Sequence, residues 1–359
     1  MQAGRNKVLV AMSGGVDSST AAALLQEQGR EVVGVTFRLP HYGPEDGRER
    51  SCCGQRGIAD ARSVAEKLGI PFYALDYREK FEQTVLADFC REYLRGRTPN
   101  PCVRCNLWLK FGFLSETRAA LNAGCIATGH YARVVRNPQT GRHELLAGRG
   151  DDDQSYFLFA LSQDQLARAE FPLGEWTKEQ VRAKAAALGL PMHDKPGSQD
   201  LCFLPEGGYR ELLRAQCPEL FRPGPVVHVS GEVLGEHEGI ACYTVGQRRG
   251  LRIPRREPLY VVRLDAAENR VVVGEHPHVL RGEIVVGELN WVAIEPPNGA
   301  LRCRALIRYH HAGAAATVEP AGDGRVRVAF DEPQAAPTPG QAAVFYDGDR
   351  VLGGGFIES

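Results

Sequence analysis

The stretch KVLVAMSGGVDSSTAAALLQEQG, residues 7–29, decides the fold of this chain. It opens with a short, continuous apolar run over 7–12, which is typical of a strand buried on both faces. A glycine-rich turn follows, and 18–28 then carries apolar residues at helical spacing before Gly29, a residue type that commonly ends helices. A strand, a tight turn and a helix in this order predict the start of a parallel α/β sheet.

The same alternation continues along the first half of the chain. Further strands are predicted at 30–39, 71–76 and 124–129, with a helix at 57–68 and a helix-rich stretch over 81–123 that is broken at 95–101. From about residue 206, Gly, Pro and Val become frequent and short strand-like pieces recur, which predicts small antiparallel sheets or barrels. We therefore expect a parallel-sheet catalytic domain over 1–205, a small central domain over 206–277 and a C-terminal β-barrel over 278–359.

Length and charge limit the classes of protein to consider. The chain has 359 residues, 43% of them hydrophobic, and a formal net charge of −1, so any basic surface for nucleic acid must be local. Its N-terminal apolar run is too short for a signal peptide, and no stretch approaches the roughly 20 apolar residues of a membrane span. We expect a cytoplasmic protein without membrane partners. Its 10 cysteines do not indicate a disulfide framework in a chain this long.

The turn AMSGGVDSS, residues 11–19, is the strongest functional signal. Backbone N–H groups and the helix dipole at a helix N-terminus favour a phosphate-like anion. The turn has neither the GxxxxGK[ST] of a Walker loop nor the GxGxxG of dinucleotide folds. It resembles the SGGxDS loop of the ATP-pyrophosphatase superfamily, whose members split ATP into AMP and pyrophosphate. The resemblance implies that the ATP phosphates are bound by Ala11, Met12, Ser13, Gly14, Gly15, Val16, Asp17 and Ser18, with Asp17 close to Mg²⁺.

Six further motifs narrow the family. They are GRTPNPCVRCN (96–106), ATGHYAR (127–133), DQSYFL (153–158), GSQDLCFLP (197–205), TVGQRRGL (244–251) and IRYH (307–310). In this order they resemble the tRNA-specific 2-thiouridylases, which place sulfur on C2 of the wobble uridine. The resemblance implies an ATP-dependent sulfurtransferase. Its partners would be a tRNA of the Lys, Glu or Gln type and a sulfur donor, either a persulfide relay protein or sulfide.

Sulfur transfer to a carbonyl carbon needs an activated oxygen leaving group and a soft nucleophile. By the resemblance, ATP adenylates O2 of the uridine and Cys202 accepts the persulfide sulfur. Cys105 then attacks the persulfide, which releases sulfide or forms a Cys105–Cys202 disulfide. The resemblance also implies that Gly129 contacts the nucleotide, His130 borders the base and Phe37 packs on adenine. The structural alternatives are buried thiols, a hydrogen-bonding histidine at a strand end and an ordinary core aromatic residue.

The same resemblance implies a set of tRNA contacts. They would be made by Asn100, Pro101, Asp152, Asp153, Gln154, Arg248, Arg249, Arg308, Tyr309 and Gln341. Arginines suit phosphate groups, and a tyrosine can stack on a splayed base. Asp152 stands where the family often has lysine, and an acid there would repel phosphate. Because 278–359 carries more acidic than basic residues, any RNA contact of the barrel must be local.

One departure from the family leaves the sulfur chemistry open. Many of these enzymes have Asp where this chain has Cys102, so that the motif here reads Cys102-Val-Arg-Cys105. Together with Cys202, three thiolates could bind three irons of a [4Fe-4S] cluster and leave the fourth iron open for sulfide, as in related cluster-bearing tRNA thiolases. The alternative is that Cys105 and Cys202 form an ordinary persulfide pair and that Cys102 is an additional thiol beside them. The sequence does not decide between them, and we favour the cluster.

Two other functions fit parts of the sequence. An ATP-pyrophosphatase that takes ammonia or an amine as nucleophile would not need Cys105 and Cys202, and it would use a glutaminase domain or partner; this chain contains no such domain. A non-catalytic RNA-binding protein could hold zinc on Cys52, Cys53, Cys102 and Cys105. Adjacent ligands fit structural zinc spacing poorly, however, and that function leaves the phosphate loop unexplained.

Overall fold

The computed structural model describes residues 6–42, 55–191 and 201–359, which fall into two compact units. The first unit comprises Met1–Val85, Cys102–Glu206 and Asp349–Val351, and the second comprises Leu86–Pro101, Gly207–Gly348 and Leu352–Ser359. The segment Leu86–Pro101 therefore belongs with the C-terminal part of the chain, although stretches of the first unit lie on both sides of it in the sequence. The three domain boundaries expected from the sequence stay predictions.

A parallel sheet forms the centre of the first unit. The strands of this unit are β1 (Lys7–Ala11), β2 (Glu31–Arg38), β3 (Phe72–Asp76), β4 (Cys125–Thr128), β5 (Ala132–Arg136), β6 (His143–Ala147) and β7 (Ala169–Glu170). Five of them form a sheet of order β3-β2-β1-β4-β7 in which every pairing is parallel. The fold class and four of these strands are thus confirmed. Val8, Leu9 and Val10 are fully buried, which explains the unbroken apolar run of β1.

The strand order reverses at β1, because β2 and β3 lie on one side of it in the sheet and β4 lies on the other. At the carboxyl end of β1, Ala11 is in register with Val35 of β2 and Thr128 of β4. Parallel sheets bind ligands at the carboxyl ends of strands at such a reversal. The glycine-rich turn after β1 and the residues after β4 are therefore placed at the binding edge.

Nine α-helices lie in the described part of the chain. They are α1 (Val16–Glu27), α2 (Gln55–Leu68), α3 (Arg78–Phe81), α4 (Ala87–Leu94), α5 (Pro101–Cys105), α6 (Leu114–Ala120), α7 (Gln163–Leu166), α8 (Lys178–Ala187) and α9 (Gly208–Gln216). Two stretches of wider π-helix, Glu82–Leu86 and Asn106–Phe113, follow α3 and α5. Thr177 caps α8 by accepting a hydrogen bond from the backbone of Gln180, whose side chain bonds back. Fully buried residues of α1, α2 and α8 pack with those of β1 in one apolar core.

The second unit is built mainly of antiparallel strands. The small central sheet has the order β10-β11-β8-β9, with β8 (Gly224–His228), β9 (Val233–His237), β10 (Tyr260–Asp265) and β11 (Arg270–Gly274). The C-terminal strands are β12 (Leu280–Trp291), β13 (Leu301–Leu306), β14 (Ala314–Gly322), β15 (Arg325–Ala335), β16 (Ala342–Asp347) and β17 (Arg350–Ile357). Because β12 pairs with both β15 and β17, these six strands close into the predicted β-barrel. No described helix has the length and apolar composition needed to cross a bilayer.

Candidate functional site

The turn between β1 and α1 is a closed, hydrogen-bonded loop. The backbone N–H of Ser13 donates to Oγ of Ser18 at 3.1 Å, and the Ser18 hydroxyl donates to the carbonyl oxygen of Gly15 at 3.3 Å. Gly14 has a φ of +72°, and a Cβ at this position would lie 2.4 Å from the carbonyl oxygen of Gly57. Only glycine fits there, so the tight approach of the loop to α2 depends on the sequence motif itself.

Gly129 brings the end of β4 against the first turn of α1. A Cβ on Gly129 would lie 2.6 Å from the backbone nitrogen of Ser18 and 2.7 Å from the carbonyl carbon of Asp17. A side chain would therefore push the strand away from the helix N-terminus. The structure thus brings together two segments that the sequence predicted for the nucleotide site, although 110 residues of chain lie between them.

Asp17 is held by two side chains from other elements of the first unit. Its carboxylate accepts a hydrogen bond from the Tyr131 hydroxyl at 2.7 Å and ion-pairs with Nζ of Lys178 at 2.5 and 2.6 Å. Burial, and then the negative charge of Asp17, raise the pKa of Tyr131, so this hydroxyl stays protonated as a donor. Sequence reasoning missed Lys178, since it lies in no quoted motif and only folding places the start of α8 beside α1.

His130 follows Gly129 and is half-buried. Its Nδ1 lies 2.6 Å from the Thr128 hydroxyl, and its ring meets that of Phe171 edge-on at 6.1 Å between centroids. Burial, with a smaller contribution from the Lys110 ammonium group, holds the pKa of His130 well below its usual range. The ring is therefore neutral at physiological pH. Its role at the reacting base stays a prediction.

Phe37 lies at the end of β2 and is buried, with 5% of its surface exposed. Its ring stacks on that of Tyr77 at 5.0 Å between centroids and 11° between planes. Tyr77 in turn meets Phe113 edge-on at 6.5 Å, and the Lys80 ammonium nitrogen lies 4.5 Å from the Phe113 ring centre. This packing explains Phe37 as a core aromatic residue, and its contact with adenine stays a prediction.

Helix α5 presents two cysteines. Cys102 and Cys105 are three residues apart and hence share one helical face, and both are partly exposed thiols. Between them, Val103 is fully buried and Arg104 is 8% exposed, with its guanidinium carbon 5.1 Å from the Trp108 ring centre. Buried neighbours thus fix the helix, whereas the two cysteines are of intermediate exposure.

The π-helix after Cys105 is tied to the DQSYFL segment. Asn106 is 2% exposed, and its Nδ2 donates to the carbonyl oxygen of Phe157 at 3.0 Å. Wider helical turns of this kind occur frequently at functional sites, because they redirect the side chains around them. The contact fixes the residue directly after Cys105.

Cys202 lies in a described stretch that begins at residue 201, whereas 197–200 of its motif are outside the described residues, as are Cys52 and Cys53. Cys202 is a residue of intermediate exposure. Its neighbour Phe203 is buried and packs edge-on against Phe81 at 5.1 Å between centroids. The packing of Phe203 on Phe81 thus holds the backbone next to Cys202 against α3.

The favoured iron–sulfur site is not supported by the structure. Cys102, Cys105 and Cys202 are all described, yet no group of three His, Cys, Asp or Glu side chains among the described residues is arranged to hold a metal. The structure therefore gives no support for a [4Fe-4S] cluster, and no reaction step is derived through one.

Two of the residues predicted to contact tRNA support the first unit internally. Oδ1 of Asp153 accepts hydrogen bonds from the backbone nitrogens of Gly148 at 2.9 Å and Ser155 at 3.0 Å, and Oδ2 accepts from the Ser155 hydroxyl at 2.9 Å. Gln154 accepts from the backbone nitrogen of Tyr131 at 3.2 Å. These bonds explain both residues structurally. Asp152 is exposed, and the tRNA contacts of all three stay predictions.

The other residues predicted to contact tRNA all belong to the second unit. Arg248, Arg249 and Arg308 are exposed, and Tyr309 lies with its ring 4.5 Å from that of His310. Asn100, at the end of the loop that leads into α5, and Pro101, the first residue of α5, are buried. Gln341 binds the backbone of this loop, at Thr98 and Pro99.

Known protein families match this arrangement along almost the whole chain. The descriptions that match are "tRNA methyl transferase HUP domain" over residues 6–206, "tRNA methyl transferase PRC-barrel domain" over 211–275 and "Aminomethyltransferase beta-barrel domain" over 281–357. The HUP domain with the glycine-rich loop at its strand reversal, and the two β-domains that follow, thus define a class of tRNA-modifying proteins.

Similar full-length proteins give the particular family. The protein of Syntrophotalea carbinolica is 51% identical over 98% of this chain and 99% of its own. Those of Magnetococcus marinus and Chloroflexus aggregans are 48% and 49% identical, each over 98% of both chains. All three are named tRNA-specific 2-thiouridylase MnmA. This chain belongs to the tRNA-specific 2-thiouridylase family and is an enzyme of tRNA thiolation, which confirms the resemblance found in the sequence.

A solved U34-tRNA thiolase, NcsA from Methanococcus maripaludis with its [4Fe-4S] cluster, aligns over 59% of this chain and 66% of its own. The identity is 17% and the TM-score 0.34. This similarity is too low to indicate a shared cofactor.

Proposed function

We propose that this enzyme converts the wobble uridine of tRNA to 2-thiouridine by way of an adenylated intermediate. The observation that carries the proposal is the close packing of Gly129 on the first turn of α1, beside the closed Ser13–Ser18 loop. Backbone N–H groups of a helix N-terminus bind phosphate oxygens well. In the proposal, the ATP phosphates lie along Ala11–Ser18. O2 of the uridine attacks the α-phosphorus, and pyrophosphate leaves with the electron pair of the broken bond.

Asp17 fits the Mg²⁺ that accompanies a triphosphate, since such an ion needs few protein ligands and prefers carboxylate oxygen. When bound, the ion would neutralise phosphate charge. Lys178 and the Tyr131 hydroxyl hold the Asp17 carboxylate, and the Lys178 ammonium group is a second positive charge at the loop. We propose that the Lys178 ammonium group contacts the ATP phosphates in addition to its ion pair with Asp17.

The sulfur is delivered by Cys105 and Cys202, without a cluster. A sulfur donor transfers a sulfur atom to Cys202 and so converts it to a persulfide. The Cys105 thiolate then attacks Sγ of Cys202. The persulfide S–S bond breaks and a Cys105–Cys202 disulfide forms, with the outer sulfur leaving as sulfide. Sulfide attacks C2 of the adenylated uridine, and AMP leaves with the former O2. A dithiol reductant then returns two electrons to the disulfide and restores both thiols.

Alternatively, the outer sulfur of Cys202 attacks C2 first and AMP leaves. Cys105 then attacks Sγ of Cys202 and releases the thiolated base. Both routes give the same products and the same disulfide. Because the His130 ring is neutral, it orients the base by hydrogen bonding without adding a positive charge.

The substrate is proposed to be a cytoplasmic tRNA of the Lys, Glu or Gln type, held by Arg248, Arg249, Arg308 and Tyr309 on the second unit. The uridine must leave the anticodon stack, at a cost of a few kcal/mol, before C2 can react. We retain the division into a catalytic domain over 1–205, a central domain over 206–277 and a barrel over 278–359 as part of this proposal.

The test is to incubate the enzyme with ATP, unmodified tRNA and a persulfide donor in iron-free buffer, and to measure AMP, ADP and 2-thiouridine. The proposal predicts AMP and 2-thiouridine in equal amounts. Cys105→Ser and Cys202→Ser should each abolish 2-thiouridine, whereas Cys102→Ala should retain most of it. Release of ADP would contradict the proposal. So would a Cys102→Ala variant that makes no 2-thiouridine, if added iron at the same time raises the thiolation activity of the wild type.

A further inference from the structure

Thr128 and His130 are joined by a hydrogen bond at the end of β4. The Thr128 hydroxyl lies 2.6 Å from Nδ1 of His130, and Thr128 is buried, with 3% of its surface exposed. Gly129, between them, packs on the first turn of α1, where a Cβ would lie 2.6 Å from the backbone nitrogen of Ser18. The backbone that separates the two side chains is therefore fixed, and the whole arrangement lies within the first unit.

The His130 ring is also held by aromatic packing. It meets the ring of Phe171 edge-on, at 6.1 Å between centroids and 85° between planes, and Phe171 meets Phe111 in the same way at 5.9 Å. Burial, and then the Lys110 ammonium group, keep the pKa of His130 well below its usual range, so the ring is neutral. A neutral imidazole carries its proton on only one of its two nitrogens, and the hydrogen bond that one nitrogen makes decides which.

The Thr128 hydroxyl has one hydrogen to donate. Within residues 6–42, 55–191 and 201–359, its hydrogen-bond partner is Nδ1 of His130 and no other group. If Nδ1 carried the proton, it would donate to the hydroxyl oxygen and leave the buried O–H group without an acceptor, which is costly. If Nδ1 is unprotonated, it accepts from the hydroxyl and the O–H group is satisfied. The geometry therefore favours the tautomer with its proton on Nε2.

The Nε2–H group then remains as a donor for a ligand. Nε2 has no hydrogen-bond partner in the described part of the chain, and His130 is only half-buried. Uracil has acceptors at O2 and O4 and a donor at N3, whereas cytosine has an amino group, a donor, in place of O4. In the proposed reaction O2 faces the α-phosphorus of ATP, and N3–H cannot accept a hydrogen bond. O4 is therefore the uracil atom that suits Nε2–H.

We propose that Thr128 is a positioning residue, which holds the His130 tautomer with its proton on Nε2 and so makes the ring a hydrogen-bond donor to O4 of the wobble uracil. This inference rests on the proposed function, in which His130 borders the reacting base. It gives the first unit a basis for substrate choice. With cytosine at the wobble position, the amino group and Nε2–H would face each other as two donors, and a site built in this way rejects such a base.

The first test identifies the tautomer and needs no turnover. Protein labelled with ¹⁵N-histidine is examined by NMR spectroscopy, which distinguishes protonated from unprotonated ring nitrogens, and the His130 signals are assigned by their loss in His130→Gln. The inference predicts a proton on Nε2 and none on Nδ1 in wild type and in Thr128→Ser, and a mixture of both tautomers in Thr128→Val. A proton on Nδ1 in wild type would overturn the inference, because Nε2 would then accept the N3 proton of uracil as a base.

The second test measures substrate choice. Single-turnover transfer of sulfur to C2 is measured at saturating ATP and tRNA, with uracil or 4-thiouracil at the wobble position. The analogue keeps N3–H and replaces O4 by sulfur, a weaker acceptor. Wild type and Thr128→Ser should favour uracil roughly tenfold, the equivalent of one hydrogen bond, and Thr128→Val should lose most of this preference through slower reaction with uracil.

Thr36→Val is the matched control. Thr36 is a buried threonine of β2 in the same sheet, and its hydroxyl has no hydrogen-bond partner among the described residues, so this variant should match wild type. An unchanged preference in Thr128→Val, or equal losses with both bases, would contradict positioning. If Thr128→Val does not fold, Thr128→Ala serves, since it also removes the hydroxyl. A wild type with its proton on Nε2 that makes no 2-thiouridine would contradict only the proposed function.

Discussion

The ammonium nitrogen of Lys178 lies 2.5 Å from a carboxylate oxygen of Asp17, although the two residues are 161 positions apart in the chain. Each stands in the first turn of its helix, Asp17 in α1 and Lys178 in α8. The Tyr131 hydroxyl binds the same carboxylate. Two helices and the connection between β4 and β5 thus meet at the loop where the phosphates of ATP are proposed to bind.

Replacing Lys178 by methionine should weaken the use of ATP. A hydrogen bond to a charged group contributes about 1.5–3 kcal/mol, so loss of the ammonium group should raise the ATP Kd or lower the rate of AMP release roughly 10- to 100-fold. Lys184→Met is the matched control, because Lys184 lies on the same helix and pairs with Glu27 at 2.8 Å. The two variants should differ clearly in equilibrium ATP binding and in AMP release, and equal behaviour would argue against a phosphate role for Lys178.

Gly129→Ala should destabilise the first unit and abolish AMP formation, since the new Cβ would lie 2.6 Å from a backbone nitrogen. Overpacking of this kind costs roughly 1–3 kcal/mol. Gly299→Ala is the control, because a Cβ at Gly299 meets nothing within 4 Å. Urea unfolding and an AMP assay would test this. Normal activity of Gly129→Ala would show that the contact between β4 and α1 is not needed for nucleotide binding.

The fold was largely predictable, because continuous apolar runs such as Val8–Val10 identify buried parallel strands without reference to distant residues. The two-residue strand β7 was missed, since it is too short to show a pattern. The glycine-rich loop between β1 and α1 was recognisable from its local glycine and serine pattern, and its binding of phosphate stays a prediction. Lys178 and the loop contact of Gln341 were not found, because both depend on residues that only the folded chain brings together.

The stability of the protein should fall below pH 6.5 partly because of His130. Burial lowers the pKa of this residue well below the ordinary value of 6.5, so the folded protein keeps the ring neutral while the unfolded chain takes up a proton. The folded state then binds fewer protons, and the free energy of unfolding falls as pH drops through the unfolded pKa. His130→Gln should lose less stability than wild type between pH 7.5 and pH 5.5 in urea unfolding. Burial also lowers the pKa of His237 and His311, so part of the decline should remain. An unaltered pH dependence would contradict this account of His130.

Arg248 and Arg249 should contribute to tRNA affinity through phosphate contacts. Replacing both with glutamine should weaken tRNA binding at low salt, and reduce the slope of log K against log salt by about two. Binding of ATP should not change, because these side chains belong to the second unit. Arg302→Gln is a suitable control, since Arg302 is an exposed barrel arginine that pairs with Asp331 at 2.7 Å. Filter binding over a range of salt concentrations measures the slope, and an unchanged slope would exclude this surface.

The central claim is that O2 of the wobble uridine is adenylated before sulfur replaces it. The most direct measurement uses tRNA whose wobble uridine carries ¹⁸O at C2, incubated with the enzyme, ATP and a persulfide donor, with mass spectrometry of the nucleotide products. If O2 attacks the α-phosphorus and later leaves with it, each AMP released during thiolation should carry one ¹⁸O in its phosphate. Unlabelled AMP alongside 2-thiouridine, or ADP as the nucleotide product, would contradict the account.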